Sequence, residues 1–221
     1  TYEHIEPSLV GNQRVIVTSN QSGRANLRAT LHQFGIDLKD DAQNKLLQDI
    51  KQLESDGFSY DGAQASLELL IRKFEGKIID YFNIERFRVI DERRYNALGE
   101  FVCESEANVT VRLKNTCQEN QFALKIARGN GPVNALDQAL RLALIELFPI
   151  LQNVALSDYK VRILPPSHQT SGTQAITRVT IESFDQSMSW STVGVSTNVI
   201  EASVQALSDS YIWYLYKNKQ K

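Results

Sequence analysis

Two stretches of this chain repeat each other, and that repeat restricts the possible folds more than any single motif. Val133, Ala135, Gln138, Ala139 and Leu140 align without a gap with Ile200, Ala202, Gln205, Ala206 and Leu207. Val133, Leu136, Ala139, Leu140, Ala143, Leu144 and Leu147 recur at three- and four-residue steps, one apolar helical face that stops before Pro149. The second copy predicts a long helix from Thr197 to about Tyr216. Upstream, Phe87 and Val89 match Tyr159 and Val161 once loops are allowed to differ. Two sheet-then-helix units, neither able to cover its apolar faces alone, predict a layered α+β body.

The strand candidates follow from alternation of apolar and polar residues. Ile84 to Ile90 alternates, with Ile84, Arg86, Arg88 and Ile90 on one side and Glu85, Phe87 and Val89 on the other. Phe101 to Cys103, Ala107 to Leu113 and Gln121 to Ala127 are three more candidates. Asp158 to Leu164, Ala175 to Ser183 and Trp190 to Val195 form the second set. Asp91-Glu92-Arg93-Arg94 reads as a charged turn.

The first third differs. A short strand is predicted at Val15-Ile16-Val17, then three short helices that end at Gly35, Gly57 and Gly76, with Asp40 and Asp41 opening the second. Residues 1–80 therefore read as a linker region and residues 81–221 as the main domain. The linker region is poor in large core residues and weakly stable alone.

Ala127-Arg128-Gly129-Asn130-Gly131-Pro132-Val133-Asn134-Ala135-Leu136-Asp137 carries the clearest binding signal. Two glycines around an asparagine predict a sharp turn through positive φ. Pro132 suits a first helical position. The product is a side-chain-poor loop with free amides at a helix start, which either holds a small anion or is a turn with nothing bound. Leu156-Ser157-Asp158-Tyr159 stands at the start of the second unit, where symmetry places it near that loop. Amides for a carboxylate, Asp137 for an ammonium and Leu, Tyr and Ile walls suit a branched amino acid.

No catalytic constellation is visible. His4, His32 and His168 fit no triad or metal pattern, and His168 sits in a Pro- and Ser-rich surface loop. His4, beside Tyr2 and Glu3, reads as a solvated linker residue or one that reaches a neighbouring active site. The arginines at 86, 88, 93 and 94 are interleaved with Glu85, Asp91 and Glu92 without a stacking set of aromatics, so they make no nucleic-acid face. A net charge of −2 over 221 residues argues the same way, and against an anionic membrane. No apolar run is long enough to span a bilayer. Cys103 and Cys117, without a secretory signal, read as free thiols of a cytoplasmic protein. The chain opens on Thr1 in place of Met, which suggests a piece of a longer one.

These motifs, in this order, resemble the allosteric domain of the 2-isopropylmalate, citramalate and homocitrate synthases. The resemblance rests on Gly129-Asn130-Gly131-Pro132-Val133-Asn134-Ala135, on Leu156-Ser157-Asp158-Tyr159 and on Gly194-Val195-Ser196-Thr197-Asn198-Val199-Ile200-Glu201-Ala202-Ser203. Tyr2-Glu3-His4-Ile5, Val10-Gly11-Asn12 and Ser22-Gly23-Arg24-Ala25-Asn26 are similar to the linker of the citramalate branch. The resemblance implies duplicated βββα units in a three-layer regulatory domain that dimerises and binds an end-product amino acid. That effector is isoleucine for a citramalate synthase and leucine for an isopropylmalate synthase. The implied effector residues are Gly129, Asn130, Gly131, Pro132, Asn134, Ala135, Leu136 and Asp137, with Leu156, Tyr159 and Ile163 as apolar wall. Tyr2 and His4 are implied to reach the partner's active site. In the whole enzyme of such a family, a TIM barrel condenses acetyl-CoA with a 2-oxoacid using a divalent metal. The barrel's metal ligands and acid/base residues have no counterparts here, so the resemblance implies no catalysis, metal or cofactor in this part.

Overall fold

The computed structural model describes residues 23–78, 81–114, 121–165 and 175–219. The strand expected at Val15-Ile16-Val17, together with Tyr2, His4, Cys117 and His168, lies outside them. The chain divides into two compact units, Thr1–Gly62 and Ala63–Lys221.

The first unit contributes helices α1 (Arg24–Gln33) and α2 (Asp40–Ser55). Leu27 and Leu31 of α1, and Leu46 and Ile50 of α2, are buried. Asp40 and Asp41 lie in the first turn of α2, where a carboxylate favours the helix dipole. Both helices end in the same device. Ile36 N–H bonds Leu31 O (2.9 Å) and Phe58 N–H bonds Leu53 O (3.0 Å), each over a glycine at positive φ. This closes the last turn onto carbonyls that otherwise lack donors.

The second unit opens with helix α3 (Gln64–Phe74). Strands β1 (Phe82–Tyr95), β2 (Phe101–Leu113) and β3 (Phe122–Gly129) lead to helix α4 (Pro132–Leu147). After a short 3-10 turn come β4 (Ala155–Ile163), β5 (Thr177–Phe184), β6 (Ser189–Ser196) and helix α5 (Val199–Lys219). The strands form two antiparallel sheets, ordered β1-β2-β3 and β4-β5-β6. This is the duplicated βββα architecture. Helix α4 packs on β2 and β3, α5 packs on β5 and β6, and the helices touch, giving sheet, helices, sheet. Ala135, Ala139 and Ala143 of α4 are fully buried, and these small side chains bring helix and sheet close. Helix α5 buries residues all round, from Ala202 and Leu207 to Tyr211 and Leu215, as a central helix must.

Register supplies a sharper mark of duplication than composition. Each first strand carries one irregularity against its neighbour, between Ile84 and Arg86 in β1 and between Leu156 and Asp158 in β4. The extra residue, Glu85 or Ser157, re-phases the strand. Ile84 faces Val111 while Phe87 faces Val109, so Ile84, Phe87 and Val89 share the inner face. The unbroken alternation expected from the sequence, with Ile84 opposite Phe87 and Val89, is corrected by that bulge.

Two further expectations change. The separate strands at Phe101 to Cys103 and Ala107 to Leu113 are one strand, β2. Asp91 to Arg94 is no turn, because it extends β1, with Asp91 opposite Ser105 and Arg94 opposite Val102. Charges on both faces hid the strand, and Arg93–Asp91 (3.0 Å) and Arg94–Glu104 (3.3 Å) pair them off. Helix α3, counted with the linker by the sequence reading, packs against β6 and α5. Ser66 Oγ donates to Asp209 (2.9 Å) and accepts from Val193 N–H (3.1 Å), while Glu68 accepts from Trp213 (2.8 Å) and Lys217 (2.7 Å).

Candidate functional site

Strand β3 ends at Gly129, opposite Ser105, and α4 begins at Pro132 with Gly131 as its cap residue. Neither glycine of this loop has positive φ, and Gly131 is extended at φ −174°. The expected positive-φ turn is therefore corrected. Gly129 is required for closeness instead: a Cβ there would lie 2.6 Å from Asn134 Oδ1 and 2.8 Å from Ala135 Cα. The chain passes so near the first turn of α4 that no side chain fits.

At the start of α4, Ala135 N–H bonds Gly131 O (2.9 Å) and no side chain caps the helix. The amides of Val133 and Asn134 meet no acceptor among the described residues. Asn134 Oδ1 turns back to accept from Asn130 N–H (3.2 Å) and from Gln138 (2.9 Å), which fixes the loop. Two amides of a helix start thus remain available to an anion.

Asp137, one turn on, is half-buried and accepts from the Tyr211 hydroxyl at 3.1 Å. Burial raises its carboxyl above the usual range, against the pull of Tyr211 and Arg141. Burial likewise lifts the Tyr211 phenol well above its ordinary value, so that hydroxyl keeps its proton and donates. Ala135 and Leu136 are closed in the core. On β4, Leu156 and Tyr159 are half-buried on the inner face. Tyr159 and Ser203 hydroxyls lie 2.8 Å apart, and Ser203 donates to Val199 O (2.6 Å), so Tyr159 is the donor between them. Ile163 is 68% exposed.

The structure thus brings Gly129 to Asp137 together around one helix start. It ties Asp137 and Tyr159 separately to α5, through Tyr211 and Ser203. No hydrogen bond among the described residues joins the loop to Leu156, Tyr159 or Ile163. Neither Ser203 nor Tyr211 is among the expected site residues, since a buried hydroxyl on a helix leaves no local pattern of its own.

The equivalent turn in the second repeat carries a side-chain cap. Asn198 Oδ1 accepts from Ile200 N–H (2.9 Å), and Ser196 Oγ accepts from Asn198 N–H (3.1 Å) while donating to Glu201 (2.6 Å). Asn198 followed three residues later by Glu201 is a helix-start signature, so this cap was readable in advance. Separately, a cleft of about 440 Å³ in the first unit lies between Arg28, His32, Ile36, Asp37 and Gln43. None of its lining residues belongs to the expected site.

Comparison with known proteins follows the same division. Residues 61–214 match the LeuA allosteric (dimerisation) domain, and residues 1–57 match the homocitrate synthase post-HMGL domain-like family. The chain is 46% identical to the (R)-citramalate synthase of Aquifex aeolicus, over 100% of this chain and 40% of that protein. It is 43% identical to that of Geobacter sulfurreducens, with the same coverage. With that of Streptomyces coelicolor it shares 42% over 98% of this chain and 39% of the relative. The chain spans about two-fifths of the length of these relatives.

Proposed function

The chain belongs to the LeuA allosteric (dimerisation) domain family, and from that premise we propose that it is the regulatory part of an acetyl-CoA:2-oxoacid acyltransferase. The whole enzyme joins pyruvate and acetyl-CoA to citramalate in the cytoplasm. This part forms a homodimer and binds isoleucine, the end product, for feedback inhibition. The identity to citramalate synthases along the chain supports the pyruvate branch. The observation that carries effector binding is the difference at the two helix starts: at α5 the side chain of Asn198 caps Ile200 N–H, and at α4 no side chain caps the amides of Val133 and Asn134.

In this reading the effector carboxylate takes those two amides, on a loop that Gly129 lets approach and Asn134 holds still. Asp137, held by Tyr211, faces the ammonium. Leu156, Tyr159 and Ile163 supply apolar wall, and the tie from Tyr159 to Ser203 carries the bound state into α5. Tyr2 and His4 reach the partner's active site. Divalent metal and acetyl-CoA belong to the catalytic barrel. The coupling cannot exceed the effector's differential affinity for the two states, commonly ~1–3 kcal/mol.

Titration calorimetry of this chain against isoleucine, leucine and valine tests the reading. Isoleucine should bind with the highest affinity. A preference for leucine moves the chain to the isopropylmalate branch, and absence of heat with all three, together with an unshifted melting temperature, leaves a ligand-free dimerisation module.

A further inference from the structure

Each repeat opens with a hairpin, β1-β2 in the first and β4-β5 in the second. In the second, the pairing of the described residues runs to Ile163 opposite Thr177, with a further bond from Leu164 N–H to Ile176 O. In the first, β3 ends opposite Ser105, yet β1 and β2 pair on to Tyr95 and Phe101. Residues 92–95 and 101–104 therefore form a two-stranded ribbon with no third strand among the described residues. Such ribbons are marginal in water on their own. This one is nonetheless firmly built. Asn96 Oδ1 accepts from Leu98 N–H and Glu100 N–H (both 2.9 Å), its backbone N–H bonds Glu100 O (2.9 Å), and Gly99 takes φ +75°.

What the ribbon presents is apolar. Tyr95 is 73% exposed, Leu98 83% and Phe101 62%, and the two rings meet edge-on at 5.5 Å. Its charges are spent on one another, Arg93 on Asp91 and Arg94 on Glu92 and Glu104. A stiff, apolar tip on a self-neutralised stem suits an apolar protein surface and loses little entropy on docking. The second repeat offers such a surface. Tyr159, Val161 and Ile163 share the inner face of β4, but the helices cover Tyr159 and leave Val161 47% and Ile163 68% exposed.

We propose that this ribbon is a clasp that seats Tyr95, Leu98 and Phe101 on the uncovered end of β4, at Val161 and Ile163, of a second copy of this chain. A two-fold axis makes the contact twice, since whatever one copy presents the other presents too. The family's dimerisation role favours a second copy over an unrelated partner. The clasp rests on the homodimer proposed above and names the surfaces that form it. Ile163 then stands both in the clasp seat and in the effector wall.

Sedimentation velocity of the full chain over a concentration series tests this, with circular dichroism and thermal melting as checks on folding. The wild type should be dimeric. Tyr95→Ser with Phe101→Ser, and separately Val161→Ser with Ile163→Ser, should each weaken the dimer by at least about tenfold. Phe122→Ser, at an exposed aromatic outside the clasp, should leave it unchanged. If a double variant fails to fold, Leu98→Ser at the exposed turn replaces it, with the same expected loss. A folded clasp or seat variant that dimerises like the wild type overturns the clasp while leaving the dimer intact. A monomeric wild type overturns clasp and dimer together, and the isoleucine titration then decides the effector reading by itself.

Discussion

The starts of α4 and α5 occupy equivalent places in the two repeats and are finished in opposite ways. At α5 a side chain supplies one missing acceptor, Asn198 Oδ1 for Ile200 N–H, and Ser196 bridges Asn198 N–H to the Glu201 carboxylate. At α4 the cap residue is Gly131, which has no side chain to offer, and Asn134 turns outward to fix the loop. An isolated helix gains about 1 kcal/mol from a good cap. That gain is measured against alanine; against a glycine cap such as Gly131 it shrinks to a few tenths of a kcal/mol, which the second repeat takes and the first forgoes. The same fold thus carries one helix start with a side-chain cap and one without.

Three glycines test that contrast most severely, because they do different work. A Cβ at Gly194, on β6, would overlap Ala202 O and lie 2.9 Å from Ala206 N and Gln205 Cβ of α5. Gly194→Ala should cost about 3 kcal/mol, by forcing the central helix off its sheet. Gly129→Ala meets the backbone of Ala135 and should lose a comparable amount. Gly131→Ala meets nothing within 4 Å and needs no special φ, so its denaturation midpoint should barely move. Urea unfolding of the three variants decides it. An equal loss at Gly131 would mean that this residue is structural, and the open helix start would lose its distinction.

Much of this was legible in the sequence. The helices and their stops at Gly35 and Gly57 follow from periodicity and end signals. The bulges at Glu85 and Ser157 were not, because a bulge breaks the two-residue period by which strands are recognised. Nor was the strand through Asp91 to Arg94, where charges lie on both faces and pair only once β2 is beside them. In the candidate site the loop was readable, but its geometry was misassigned: proximity to Ala135, and no left-handed backbone, demands Gly129. The bonds Asp137–Tyr211 and Tyr159–Ser203 join residues far apart in the chain, and only the packing of α5 makes them neighbours.

Exchanging the two finishes is a milder test of the same contrast. Gly131→Asp gives α4 the cap it lacks, and it should raise stability by about 0.5–1 kcal/mol. The new carboxylate would occupy the amides of Val133 and Asn134 and repel the effector, so isoleucine affinity should fall about tenfold or more. Asn198→Ala should cost about 1 kcal/mol and leave isoleucine binding intact. Melting curves and calorimetry on the same preparations read both effects. Unchanged isoleucine binding in Gly131→Asp would remove the amides of α4 from the effector site.

The smallest effect concerns the carboxylate that only the first repeat has, since the ungapped alignment sets Asp137 against Val204. Burial raises the Asp137 carboxyl, with Tyr211 and Arg141 opposing. Its folded-state value lies above the unfolded one, near pH 4. Between those two values the folded chain binds more protons than the unfolded chain, so stability falls as pH rises through that window. Above it, the full penalty of keeping a charged carboxylate half-buried remains. Asp137→Asn keeps an oxygen for Tyr211 to donate to and cannot ionise, so the variant should gain on the wild type as pH rises from about 4 towards neutrality. Asp209, also raised by burial, is present in both proteins and cancels from the difference. Urea midpoints of the pair across that range provide the measurement. A stability difference that does not change with pH would mean that the pull of Tyr211 and Arg141 on the Asp137 carboxylate offsets its burial in full.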